Sequence, residues 1–282
     1  MPIVNRRLRF CVFLLCLALC ISALSSAEDI RGYTKEDGYV YVTLGRYPQT
    51  VDGGEIGNAD DAWRWKATVI EDPTSLELTD EPILWRVLSA DEEKIWLLSE
   101  YILFASPMQQ DYKAYKKAKG EFAQTDLCAL LNTDFLTRAF TPEEASLLLP
   151  KEGIGDVFLL NAEDLNSADI GFGKKANKAR KAWATEYAVR VTGAFVYKVK
   201  EGCCSPYWVA TPAINAQAAG RASRCTKQDG SVGYYNVVNP EEGARPSVYL
   251  KPDAFTVNGG SGTKDDPWVL LPATEAEETP AE

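Results

Sequence analysis

The sequence predicts an α+β fold made of mostly antiparallel sheets with a few short helices. Runs of β-branched and aromatic residues recur along the 282-residue chain and indicate strands. Two of these runs, residues 82–88 and 94–99, flank the acidic residues 91–93 and predict a hairpin. Two helical segments follow, and the second carries a clear N-terminal cap.

The first half of the chain opens on a strand. Residues Tyr39 to Leu44 are nearly all β-branched, aromatic or aliphatic. A loop over residues 48–61 follows, with a Gly pair and an Asp pair. From Trp63 to Val69, apolar and polar residues alternate, which predicts a half-buried strand.

Two helices are predicted in the middle of the chain. The first covers about residues 125–135, and Cys128 falls on its apolar side, where it would pack as a small hydrophobic residue. The second begins at a capping box in which Thr141 is the N-cap, Pro142 the first helical residue and Glu144 the third.

The segments after these helices are shorter. Residues 157–160 predict a buried strand, and Asn161 is expected to cap a short helix after it. Residues 174–181 carry five positive charges and no acids, a pattern that favours a solvated face over a polyanion or membrane patch. From Trp183 onward the pattern again predicts strand.

The N-terminus has the pattern of a secretory signal. Three arginines before residue 10 precede a charge-free apolar run, Phe10 to Leu24, and small residues end at Ala27. One alternative is a retained membrane anchor, for which the run is short. The other is a lipoprotein modified at Cys20, but the preceding Leu17-Ala18-Leu19 has a bulky leucine, Leu19, where a small residue is needed. We expect a secreted or cell-envelope protein with no stable membrane span after cleavage.

Charge and composition exclude several functions. Removal of residues 1–27 leaves 27 basic and 40 acidic residues, a net charge of −13, which disfavours nucleic acid as a partner. The chain contains no histidine, so catalysis by a histidine base and histidine-ligated zinc are both excluded. No cofactor or metal ion is expected.

Four cysteines remain after cleavage, and export permits disulfides among them. Cys203 or Cys204 is expected to pair with Cys225, since a bond between adjacent cysteines would be strained. The alternative is that all four are thiols, Cys128 above all.

The order of motifs resembles a bacterial family, the domain of unknown function 6273. The matching segments are residues 44–49, 82–88, 97–99, 131–135 with 139–140 and 143–144, 157–160, 185–188, 207–208 with 211–212, and Gly243-Ala244-Arg245-Pro246-Ser247-Val248. Residues 128–130 and 209–212 depart from the family pattern, the first by lacking an arginine. The resemblance implies no known activity.

At the level of fold, the late segments resemble C-type-lectin-like domains and the related formylglycine-generating enzymes. The resemblance implies an aromatic strand, a short hairpin and an arginine-bearing last strand as the functional half. We divide the chain into a signal peptide (1–27), one α+β domain (28–252), a Gly-rich loop and strand (253–271) and a disordered acidic tail (272–282).

The expected role is a non-catalytic binding module for a glycan or an extracellular protein. The candidate binding residues are aromatic or basic and lie on or near the hairpin: Tyr207, Trp208, Arg224, Tyr234, Tyr235 and Arg245. Strand alternation predicts that only one of Tyr234 and Tyr235 faces solvent. Alternatively, Trp208 is a core residue and Arg245 makes a buried pair.

Other functions have weaker support in the sequence. Residues 239–242 could suggest a calcium loop, but a calcium site needs six or more oxygens and a turn is the better interpretation. A copper-thiolate enzyme at Cys203 and Cys204, and a structural role in the cell envelope, are the alternatives to the binding module.

The signal predicts cleavage between Ala27 and Glu28. The intact mass of the protein recovered outside the cell is expected to match a chain that starts at Glu28. Full-length protein in the membrane fraction would contradict this prediction.

Overall fold

Two sheets carry most of the strands, and the larger contains both the first and the last of them. The computed structural model describes residues 30, 38–51, 69–173, 178–199, 202–212, 221–225 and 230–273. The strands are β1 (Tyr41–Val51), β2 (Leu78–Ala90), β3 (Ile95–Ser99), β4 (Phe104–Ala105), β5 (Leu148–Leu149), β6 (Val157–Phe158), β7 (Tyr197–Val199), β8 (Gly202–Cys204), β9 (Tyr207–Pro212), β10 (Arg221–Cys225), β11 (Val232–Asn236), β12 (Gly243–Ala244), β13 (Ser247–Leu250), β14 (Phe255–Val257) and β15 (Trp268–Pro272).

The larger sheet has the strand order β14-β15-β1-β2-β3-β13-β5, and β6 also pairs with β13. All its pairs are antiparallel except β1 with β15, where Val42 lies opposite Trp268. The C-terminal segment predicted to lie outside the α+β domain, residues 253–271, thus contributes two neighbouring strands, β14 and β15, to this sheet. The fold is α+β with mostly antiparallel strands, as the sequence predicts.

The smaller sheet has the order β11-β10-β9-β12-β4, so β11 is an edge strand. Strands β7 and β8 form a separate two-stranded sheet and lie between β4 and β9 along the chain. The aromatic strand β9 lies at its centre, paired with the β10–β11 hairpin on one side and with β12 on the other.

The β2–β3 hairpin confirms the sequence prediction. Asp91 closes its turn, because Oδ1 accepts hydrogen bonds from the backbone N–H groups of Glu93 and Lys94, both at 2.9 Å. An aspartate that binds backbone groups two and three residues ahead stabilises such a turn without help from the rest of the fold.

Strand alternation gives the larger sheet two buried faces. In β2, Ile83, Trp85 and Val87 belong to the main hydrophobic cluster, while Leu88 belongs to a second cluster with Leu98 of β3. Arg86 lies between Trp85 and Val87 in the same strand and is 5 % exposed. A charged side chain therefore sits inside the sheet, on the side of the second cluster.

The helices are α1 (Tyr112–Lys117), α2 (α-helical over Asp126–Leu130 and Leu136–Ala139, π-helical over Leu131–Phe135 between them), α3 (Pro142–Ala145) and α4 (Glu186–Arg190). Single 3-10 turns lie at Pro73–Ser75, Phe122–Gln124, Asp164–Asn166, Ala168–Ile170 and Lys178–Arg180. The capping box at Thr141 and Glu144 is present in α3, as predicted. Asn161 Oδ1 accepts from the N–H groups of Glu163 and Asp164, but the N-cap of the 3-10 turn Asp164–Asn166 is Glu163, so Asn161 closes the bend before the turn and is not its cap.

Helix α2 begins where the sequence predicts, with Thr125 as its N-cap, but continues past Phe135 after a π-helical turn. The turn carries Asn132, whose side chain binds both backbone groups of Val157 in β6, at 3.0 Å and 2.8 Å. The helix is therefore tied to the larger sheet by one amide. Cys128 is buried in the main cluster, which confirms that it packs as a small hydrophobic residue.

Two predictions for residues 174–199 are wrong. The segment after Trp183 was expected to be strand, but Thr185 caps α4 by accepting from the N–H of Ala188, and a strand forms only from Tyr197. Arg180 was expected on a solvated face, but it is 3 % exposed and donates to Asn166 and to backbone carbonyls. Lys174 and Lys175 lie outside the described residues, as do residues 63–68 of the strand predicted from Trp63 to Val69.

Gly45 lets β1 approach helix α2, and this contact is testable. Its φ is +70°, and an added Cβ would lie 2.5 Å from the backbone oxygen of Ala139. Gly153 has nearly the same φ, +71°, but open space around it. In urea unfolding, Gly153→Ala is expected to cost about 1 kcal/mol from the backbone alone. Gly45→Ala is expected to cost a further ~2 kcal/mol from the clash. Equal costs would show that the contact with α2 is unimportant.

Candidate functional site

The buried carboxylate of Glu100 gathers three cations from distant parts of the chain. Glu100 directly follows β3 and its side chain is 2 % exposed. Oε2 accepts from Nε and Nη2 of Arg86 at 2.9 Å and 2.6 Å, and Oε1 accepts from Lys264 Nζ at 2.9 Å. Arg245 Nη2 lies 4.0 Å from Oε2. We call Arg86, Glu100, Arg245 and Lys264 the charged cluster.

The remaining polar atoms of the two arginines are mostly bound to backbone and tyrosine groups. Arg86 Nη1 donates to the carbonyl of Ala179 at 3.0 Å. Arg245 Nε donates to the carbonyl of Ser99 at 2.7 Å, and its Nη1 donates to the hydroxyl of Tyr207 at 3.4 Å. Arg245 thus links the start of β13 to the end of β3 and to the aromatic strand β9.

Four half-buried aromatic side chains surround the charged cluster, and we call them the aromatic rim. They are Tyr39, Tyr41, Tyr101 and Trp183. The guanidinium carbon of Arg86 lies 4.4 Å from the ring centre of Tyr39. Lys264 Nζ lies 5.2 Å from the ring centre of Tyr101 and 5.9 Å from that of Trp183. Cation–π contacts of this kind add to the stability of the charges they cover.

The charges in the cluster stabilise one another. Burial by itself raises the pKa of the Glu100 carboxyl, but the attraction of Arg86, Arg245 and Lys264 outweighs burial and lowers the pKa below its usual 4.5. Burial opposes the charge of Lys264 too, yet Glu100 raises the pKa of its ammonium group. Burial raises the pKa values of Tyr39 and Tyr41, so both stay neutral.

Two hydrogen-bond donors near the cluster have no acceptor. Arg245 Nη2 and Trp183 Nε1 are both buried and neither makes a hydrogen bond within the part of the chain that the structure describes. The side chain of Arg245 is 0 % exposed. Leaving a buried donor unsatisfied costs roughly 1–3 kcal/mol, so these two atoms are unusual in a folded protein.

The site brings together only part of the predicted binding set. Arg245 belongs to the charged cluster and donates to the hydroxyl of Tyr207, but both are 1 % exposed, and Trp208 is also 1 % exposed. Trp208 Nε1 donates to the carbonyl of Ser106 at 2.8 Å, as a core tryptophan does. These three residues do not line an open surface, because β9 is the central strand of the smaller sheet. The alternative that Arg245 makes a buried hydrogen-bonded pair is confirmed.

Tyr234 and Tyr235 lie on the edge strand β11 and are 50 % and 39 % exposed. The prediction that one of them packs inward is therefore wrong. Alternation decides burial only where a sheet is covered on one face, and an edge strand leaves room on both. Val238, two residues beyond the strand, is also 36 % exposed. Arg224 pairs with Gly233 of β11 through the backbone, but its side chain is outside the described residues.

Sequence reasoning missed Arg86, Glu100 and Lys264. The signal that could have found Arg86 is its position inside an otherwise apolar strand, Ile83 to Leu88, where a charge needs a partner. Glu100 follows a similar apolar run, residues 95–98. No pattern in the sequence pairs Lys264 with Glu100, 164 residues earlier.

The predicted disulfide stays a prediction, since the side chains of Cys203 and Cys225 are outside the described residues. Cys204 is buried at the end of β8, and the β9–β10 register places Cys225 opposite Tyr207. The turn at residues 239–242 is held by Asn239, whose side-chain oxygen accepts from the N–H of Glu241. Across the described residues, no cluster of three or more acidic or cysteine side chains could hold a metal ion.

Comparisons with protein-family models, with curated proteins and with solved structures found no match. The family resemblance therefore rests on the motifs alone. In the described part of the chain, no helix has both the length and the apolar character needed to cross a bilayer.

Replacing Glu100 tests the charged cluster. Glu100→Gln leaves three cations around a neutral amide, and breaking a buried pair in this way costs ~3–5 kcal/mol of unfolding free energy. Since the pKa of Glu100 is lowered by folding, its stabilisation is complete above pH about 4.5 and is lost as the pH falls through the folded value. Denaturant unfolding at several pH values is expected to show a weaker acid dependence in the variant.

The matched control is Glu152→Gln, at an exposed glutamate. It is expected to change stability by less than about 0.5 kcal/mol. A Glu100→Gln variant as stable as Glu152→Gln would show that the cluster contributes nothing to folding.

Proposed function

We propose that this protein is a secreted, non-catalytic binding module for glycan or extracellular protein ligands, with a C-type-lectin-like fold of the domain of unknown function 6273 family. The observation that carries the proposal is the exposure of two consecutive tyrosines, Tyr234 and Tyr235, on the edge strand β11. The two side chains lie on opposite faces of the same edge strand. Exposed tyrosines are typical of binding surfaces, because tyrosine supplies contact area at a small entropic cost.

The arrangement behind β11 supports a rigid binding surface. The β10–β11 hairpin pairs with β9, and Tyr207 of β9 donates to the carbonyl of Arg180 at 2.7 Å. Arg245 donates to the same tyrosine hydroxyl. The exposed strand is thus joined through β9 to the charged cluster. A surface held this way loses little conformational entropy on binding.

The order of elements also supports the fold assignment. The aromatic strand β9, the β10–β11 hairpin and the arginine-bearing strand region before β13 follow one another as the resemblance implies. The polar atoms of Arg86, Glu100 and Lys264 bind one another inside the fold, which favours a binding role over acid–base catalysis by these groups.

The binding surface is tested by Tyr234→Ala and Tyr235→Ala. Each is expected to weaken binding to a ligand found on a glycan array, or to a captured extracellular protein, by ~1–2 kcal/mol. Each is expected to leave the melting temperature almost unchanged, since both side chains are exposed. Titration of the ligand and thermal melting measure the two effects.

Leu271→Ala is the control, because Leu271 is 41 % exposed on β15 of the larger sheet, which does not pair with the hairpin within the described residues. It is expected to bind like the parent. If the double variant Tyr234→Ala/Tyr235→Ala also binds like the parent, the hairpin is not the binding surface and a structural envelope role becomes the better account.

A further inference from the structure

The charged cluster has more positive than negative groups. Three cations, Arg86, Arg245 and Lys264, contact one carboxylate, Glu100. The protein as a whole is acidic, with a formal net charge of −10, so a local excess of positive charge is not a consequence of composition. Beside Lys264, Asp265 and Asp266 are exposed in the same loop, while Glu242, three residues before Arg245, is buried and accepts from Asn239.

Two buried hydrogen-bond donors beside the cluster, on Arg245 and Trp183, have no acceptor within the described residues. Arg245 Nη2 lies 4.0 Å from Glu100 Oε2, beyond hydrogen-bonding distance, and is fully buried. Among the residues that the structure describes, Trp183 Nε1 is also buried without an acceptor, and its ring centre lies 5.9 Å from the ammonium group of Lys264. Unpaired donors beside an excess of positive charge call for an acceptor with negative charge.

The surroundings fit a small anionic ligand with a flat or ring-shaped body. Lys264 is the cation of the cluster that reaches solvent, with a side chain 39 % exposed. The half-buried rings of Tyr101 and Trp183 lie beside its ammonium group, and that of Tyr39 lies beside Arg86. Aromatic faces of this kind contact the apolar parts of ring-shaped ligands.

We infer that the charged cluster and the aromatic rim form a binding site for a compact oxyanion, a carboxylate or phosphate group. The oxyanion accepts hydrogen bonds from Arg245 Nη2 and Trp183 Nε1 and pairs with Lys264 Nζ. The aromatic rim contacts the remainder of the ligand. This site is separate from the Tyr234–Tyr235 surface and does not depend on the function proposed for that surface.

The test is calorimetric titration of the exported chain with glucuronate, inorganic phosphate and glucose at constant ionic strength. Glucuronate and phosphate are expected to bind and the uncharged glucose is not. Trp183→Phe removes one donor and keeps an aromatic ring, while Lys264→Met removes the charge and keeps the apolar stem. Each is expected to weaken anion binding by about tenfold or more, the effect of losing a charge-assisted hydrogen bond.

Lys113→Met is the control for net charge, since Lys113 is exposed on helix α1. It is expected to bind both anions like the parent, as is the double variant Tyr234→Ala/Tyr235→Ala. The inference is overturned if the folded parent shows no binding of either anion, in which case ordered water is the acceptor for the two donors. It is also overturned if Lys264→Met and Trp183→Phe bind as tightly as Lys113→Met, or if the double tyrosine variant loses anion binding.

Discussion

The structure depends on a carboxylate placed where water cannot reach it. Glu100 stands at the end of β3, and each of its partners comes from a different part of the fold: Arg86 from β2, Arg245 from the turn into β13 and Lys264 from the loop before β15. An unpaired buried charge would be too costly to tolerate. The carboxylate is therefore stable only when these segments are in their native positions. The cluster thus favours the native arrangement over alternatives as well as adding stability.

The cluster also explains how the two sheets are held in a fixed position relative to each other. Arg245 follows β12 of the smaller sheet and precedes β13 of the larger one. Its guanidinium binds the carbonyl of Ser99 in β3 and the hydroxyl of Tyr207 in β9, so one side chain spans both sheets. Apolar packing can slide by small amounts at little cost, whereas hydrogen bonds to a planar guanidinium are directional. The edge strand β11 is connected to this rigid contact because it pairs with β10, which pairs with β9.

The sequence predicts local structure well where the chemistry is local. The hairpin closed by Asp91 and the cap at Thr141 depend on groups within three residues of each other, and both are present. Helix α4 was missed because its cap, Thr185, initiates only five residues of helix, too few for periodicity to show. The burial of Arg180 and the exposure of both Tyr234 and Tyr235 depend on what lies across the fold, which no local pattern records. Within the charged cluster only Arg245 was among the residues predicted from the sequence, since Arg86, Glu100 and Lys264 are single charges in separate segments.

The parallel pairing of β1 with β15 has a consequence for how the chain reaches its native state. Tyr41 donates from its backbone to the carbonyl of Gly262, and Lys264 joins Glu100 across 164 residues. Contacts between such distant residues are slow to form, because the loop they close loses much entropy before any contact compensates for it. Strand β1 is synthesised early, but its partner β15 is the last of the described strands to be synthesised. Until β15 arrives, one edge of β1 stays unpaired and Glu100 lacks the ammonium group of Lys264. A chain that stops short of residue 264 is therefore expected to expose an open strand edge, the kind of surface that promotes aggregation.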